Sequence, residues 1–185
     1  MVRAELLDGY MPGNPLDRDA IRSLIEGTEG SPPLLDDFLS IENQLQPNGF
    51  DLTLKDISRF STPGSMGTAE SDRELSATES IGADPGGWLR LDPGPYLVTF
   101  NEVVNLPPDL MAFGRPRSSL LRSGVSIHSA VWDAGYRGRS QVLLVGYHPL
   151  GYRLQIDARL MQLVFFRMDQ PTSQGYQGRF QDENL

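Results

Sequence analysis

The sequence predicts an all-β domain of short strands with one helix near its N-terminus. Glycine and proline are frequent, at 19 and 14 of 185 residues, and punctuate the chain with turn signals. Between those signals, β-branched and aromatic residues gather in runs of strand length. Only Asp17 to Gly27 carries a helical period, with Ile21, Leu24 and Ile25 on one face, an acidic start that can cap and a glycine at the end. A chain of 185 residues suffices for one domain with a substantial core and is short for two.

The chain in order gives each element its reason. Ser31-Pro32-Pro33 interrupts it, and Leu34 to Leu45 is acidic and apolar without a clean period. Gln46-Pro47-Asn48-Gly49 is a turn signature running into the alternating strand Phe50 to Leu54. Residues Ser61 to Gly87 change to Ser, Thr, Gly, Asp, Glu and Pro with few apolar side chains, the composition of a flexible surface insertion. Strand-like runs resume at Trp88 to Leu91 and Tyr96 to Phe100, separated by Asp92-Pro93-Gly94. Later, Gln141 to Val145 reads as a buried strand, Arg153 to Ile156 as a shorter one, and Ala158 to Phe166 as a final core strand.

Composition excludes several chemistries. There is no cysteine, so disulfides, zinc-thiolate sites and thiol nucleophiles are ruled out. The formal net charge of −8 argues against a nucleic-acid surface as the main partner. The segment MVRAELLDGYMPGNPLD lacks the unbroken apolar core of a signal peptide, and no later run is long enough to span a bilayer, so a soluble, cytoplasmic protein is expected.

Four stretches carry residues suited to chemistry. Arg115-Pro116-Arg117-Ser118-Ser119-Leu120-Leu121-Arg122 groups guanidiniums and hydroxyls, the donors a polyphosphate calls for, or else forms a solvated basic turn. Val125 to Val145 sets one carboxylate, Asp133, between two apolar runs and beside Gly135 and Gly138. That is a place where backbone can approach a ligand closely, or an ordinary turn. Gln162 interrupts the last apolar run, so its amide bonds backbone or reaches a ligand. The tail Ser173 to Leu185 is aromatic, glycine-containing and polar, fit for a lid or for a frayed terminus.

Taken together, these segments resemble the trimeric dUTP nucleotidohydrolases (dUTPases) and the dCTP deaminases, which share one fold, with the archaeal-type dUTPase branch nearest. Four blocks carry the resemblance in family order: Gln46 to Leu52, Pro116 to Arg122, Trp132 to Gly138, and Ala158 to Leu163. It implies one domain over residues 1–185, a distorted jelly-roll (β-clip) subunit, with 1–43 as an N-terminal helical extension, 61–87 as the insertion and 173–185 as the tail. It also implies a homotrimer with active sites at subunit interfaces.

The same resemblance implies roles. Asp133 matches the carboxylate that activates the water attacking the α-phosphorus of dUTP, releasing dUMP and pyrophosphate. Tyr136 matches the aromatic packed on the deoxyribose. Arg117, Ser118 and Ser119 match the phosphate-binding block, Arg122 a basic position shared with the deaminases, and Gln162 the glutamine of the last block. Asp51 matches an acid near Mg2+, touching the metal through water. The backbone from His128 through Ser129, Ala130 and Val131 to Trp132 is expected to read the uracil edge, with His128 itself structural or in contact with the ligand. From the tail, Tyr176 and Arg179 are candidate ligand contacts, although Glu183 stands where the family often has glutamine. Deaminases carry a glutamate ten positions after the aspartate, where this chain has Leu143. That residue disfavours dCTP deamination, alone or coupled, and the remaining alternative is a non-catalytic nucleotide-binding protein on the same fold.

Overall fold

A computed structural model describes residues 13–27 and 31–185. The expected helix forms as α1 (Arg18–Glu26). The Asp17 side chain accepts from the Ala20 N–H at 2.9 Å, and Gly27 ends the helix at φ +76°. Its apolar face buries Ile21 and Ile25. Next come β1 (Leu35–Asp36), α2 (Ile41–Gln44), β2 (Leu45–Gln46) and β3 (Gly49–Phe60). The stretch without a clean period thus holds two short elements, each too brief to show one. Pro47-Asn48 is the turn between β2 and β3, whose Gln46 and Gly49 pair.

The remaining elements are β4 (Thr78–Ser80), β5 (Trp88–Leu91), β6 (Gly94–Phe100), β7 (Val103–Asn105), β8 (Leu110–Pro116), α3 (Ser118–Arg122), β9 (Val125–His128), β10 (Arg137–Gly138), β11 (Gln141–Gly146), β12 (Tyr152–Gln155) and β13 (Arg159–Arg167). The basic cluster is therefore a short helix with Arg117 at its N-cap, a turn of helix that its arginine and serine content does not announce.

Strand order in the main antiparallel sheet is β8-β13-β3-β6-β11-β9, a distorted jelly-roll in which β3 is the spine. The first part of β3 pairs with β13 and its later part with β6, across an irregularity between Leu54 and Asp56 that redirects the strand. Gly49 to Leu54 are all buried, because the core covers one face and α1 and α2 lie near the other. β6 and β11 instead alternate buried and partly exposed residues. Phe50, Phe100 and Phe165 anchor the core with no exposed surface, and each contributes about 2–3 kcal/mol through apolar burial.

Glu102, an acid between β6 and β7, is fully buried. It accepts from Gln44 Nε2 at 2.6 Å, from Thr53 Oγ1 at 2.6 Å and from the Thr53 N–H at 2.9 Å. Those donors come from α2 and β3, so the carboxyl ties a helix, the spine and the β6–β7 corner together. Burial pushes its pKa up, against the opposing pull of these donors.

Residues 61–87 carry more backbone pairing than their composition suggests. β4 pairs with β3 through Ser58–Ser80 to Phe60–Thr78, Ser65 and Glu74 bridge each other, and a 3-10 turn spans Glu70–Asp72. Main-chain bonds hold this extension over surface with few buried side chains, which is why no hydrophobic period marks it.

Candidate active site

The loop after β9 and the turn before β10 open onto a cavity of about 900 Å³. Three segments wall it. Ala130, Val131, Trp132, Asp133 and Tyr136 form one side, Gly64 to Met66 with Glu74 to Ser76 form another, and Tyr176, Phe180 and Glu183 come from the tail. Asp133 is exposed, while Trp132 and Tyr136 are buried beside it. Met66 and Leu75 expose large apolar side chains toward this space, and they went unread in the sequence because their segment lacks a strand pattern.

The turn owes its shape to Gly135 at φ +84°. A Cβ there would stand 2.8 Å from Gly175 Cα and 3.0 Å from the Tyr176 N, so the glycine also lets the tail come close. The tail is bound along this turn by its backbone. Tyr176 N–H donates to Ala134 O at 2.8 Å, Asp182 N–H to Arg137 O at 2.8 Å and Arg139 N–H to Glu183 O at 2.9 Å. Gln181 Nε2 donates to Gly135 O at 3.1 Å, and the rings of Tyr136 and Tyr176 meet edge to face at 5.7 Å. Arg179 is exposed on the same segment.

Along the cavity wall runs a chain of hydrogen bonds. Trp132 Nε1 donates to Ser140 Oγ at 2.6 Å, Ser140 Oγ and Tyr136 Oη are 3.2 Å apart, and Tyr136 Oη donates to Glu183 Oε1 at 2.8 Å. Burial first, then the carboxylate of Glu183, pushes the Tyr136 phenol far above its usual range, against the pull of Ser140, so it stays a donor. Burial likewise pushes Glu183 up, with the tyrosine bond opposing. Sequence reading missed Ser140, whose only local signal is a polar residue directly before an apolar strand.

Of the backbone expected to read the uracil edge, His128 to Trp132, one end is already hydrogen-bonded. Trp132 spends its N–H and C=O on Ala112, at 3.1 and 3.0 Å. His128 is exposed on β9 opposite Leu143. Among the described residues, Ser129, Ala130 and Val131 form no backbone hydrogen bond, so their donors and acceptors are free for a ligand.

The basic residues gather elsewhere. Asp51 is buried, and its Oδ2 lies 3.0 Å from Arg117 Nη1 and 3.5 Å from Arg159 Nη1. Burial pushes the acid's pKa up, while both guanidiniums oppose. Ser118, Ser119 and Arg122 are exposed on α3, and Gln162, half-buried on β13 opposite Asp51, packs against Gly49. Neither Arg117, Ser118, Ser119, Arg122 nor Gln162 lines the cavity around Asp133. Within this chain the predicted residues thus fall in two places, with Arg159 an unforeseen neighbour of Asp51 in the second.

Comparison with known proteins places the chain in a family. The family model described as dCTP deaminase-like matches residues 16–168. A protein from Methanococcoides burtonii named probable deoxyuridine 5'-triphosphate nucleotidohydrolase is 42% identical over 170 residues, covering 92% of this chain and 98% of the relative. One of the same name from Archaeoglobus fulgidus is 44% identical over 170 residues, covering 92% and 97%. Among solved structures, a 2'-deoxycytidine 5'-triphosphate deaminase from Agrobacterium tumefaciens shares the fold, with a TM-score of 0.63 at 22% identity over 86% of this chain and 50% of that one. With that extent of matching, this chain belongs to the dCTP deaminase-like family.

Proposed function

We propose that the protein hydrolyses dUTP to dUMP and pyrophosphate, as a cytoplasmic homotrimer whose sites are shared between subunits. The observation that carries the reading is an exposed Asp133 beside a buried Tyr136, at a cavity lined also by Ala130 and Val131, whose backbone is unpaired. Relatives named as probable dUTP nucleotidohydrolases support it. Asp133 orients water and takes its proton as it attacks the α-phosphorus. Tyr136 supports the sugar, and the free backbone pairs with the uracil edge, leaving cytosine with unmatched polar groups.

The phosphates go to the second cluster, supplied by a neighbouring subunit. Arg117 and the hydroxyls of Ser118 and Ser119 donate to phosphate oxygens, with Arg122 and Gln162 beside them. Asp51 holds Arg117 and Arg159 in place. Among the described residues no three acids or histidines converge into a metal cage, so this donor set fits a magnesium ion carried by the triphosphate and its own waters. Such an ion would neutralise phosphate charge, and Asp51, turned to the arginines, would touch it only through water.

At position 143 a half-buried leucine lies on β11, and an aliphatic side chain moves no proton, which removes the family route to deamination. Incubation with dUTP, dCTP, dTTP and UTP in the presence of magnesium tests the reading. The expected outcome is dUMP and pyrophosphate from dUTP alone. Deaminated product from dCTP would favour the deaminase instead, and dUTP-induced stabilisation without turnover would leave a nucleotide-binding protein.

A further inference from the structure

We infer that Ser140 is a positioning residue that couples the nucleoside wall of the cavity to the C-terminal tail. Proton counting fixes the direction of the chain. Trp132 Nε1 can only donate, and it donates to Ser140 Oγ; the Tyr136 hydroxyl gives its single proton to Glu183 Oε1. At the remaining contact, the Ser140 hydroxyl therefore donates to Tyr136 Oη. The result is one file, Trp132 to Ser140 to Tyr136 to Glu183, in which each bond polarises the next.

Ser140 is 3% exposed, Trp132 5% and Tyr136 6%, so water does not substitute for a lost link. All four members, Trp132, Ser140, Tyr136 and Glu183, line the cavity, and Glu183 brings a tail side chain onto that wall. Two hydroxyls thus set the angles of both aromatic side chains beside Asp133 and report to them whether the tail is docked. The role in turnover rests on the nucleotide-hydrolysis reading above, whereas the coupling itself does not.

Fluorescence tests the coupling without substrate. The chain has two tryptophans, and Trp88, stacked under Arg153 at 4.7 Å on β5, is outside the site. In a Trp88→Phe background the emission belongs to Trp132 alone. Glu183→Ala is expected to shift that emission when Ser140 is present and to leave it unmoved in Ser140→Ala. An unchanged spectrum in Glu183→Ala, or an equal shift with alanine at position 140, overturns the inference. Should Ser140→Ala fail to fold, Tyr136→Phe cuts the same file one link further on, and Glu183→Ala should then be silent. In turnover, Ser140→Ala should raise the KM for the nucleotide about tenfold with little change in kcat, since the loss amounts to one or two hydrogen bonds. Ser140→Thr, which keeps the hydroxyl, should restore most of the KM. A kcat loss with unchanged KM would contradict a positioning role.

Discussion

Glu183 shows how one side chain gives the tail a pH dependence. Burial raises its pKa, and the Tyr136 bond only partly opposes this. An acid whose pKa rises on docking contributes stability that is fully present below its free value and is lost as pH climbs through the raised one. Docking should therefore be firmest in acid as far as this group is concerned. Glu183→Gln isolates this effect, since it keeps an acceptor for Tyr136 and never titrates. Limited proteolysis of the tail should show the ratio of wild-type to Glu183→Gln cleavage rates rising with pH, and a ratio that falls would contradict the account.

Among the elements, the junction at Glu102 depends on one side chain. Gln44 of α2 and Thr53 of β3 direct three donors at one buried carboxyl. Glu102→Ala strands them all, and stability in urea should fall by about 3 kcal/mol. A loss below about 1 kcal/mol would mean that water satisfies the donors. Elements with their own period were legible in the sequence. α1 announces itself through Asp17, Gly27 and the Ile21–Ile25 face, and β11 and β13 through their apolar runs. The cavity wall from Gly64 to Ser76 was not legible, because backbone pairing holds it and few of its side chains are buried. The file through Ser140 was equally silent, because Tyr136 and Glu183 meet across 47 positions of chain. Asp133 and Tyr136 line one cavity, and Trp132 meets it with its side chain, its backbone being bonded to Ala112.

For the whole molecule, the separation of the two clusters has a direct consequence. If Asp133 and Arg117 serve one site from different subunits, neither Asp133→Asn nor Arg117→Ala can support turnover alone, yet mixed trimers contain some intact sites. Dissociating and reassociating the two variants in equal amounts should restore about a quarter of wild-type activity, the random share in a closed ring. No recovery, with mixed trimers demonstrated, would place the whole site on one chain.

The central claim is attack of an Asp133-activated water on the α-phosphorus of dUTP, and hydrolysis in water enriched in heavy oxygen tests it most directly. The account predicts the label in the phosphate of dUMP, with none in pyrophosphate. Label in pyrophosphate, or dUTP left intact with magnesium present, would contradict it.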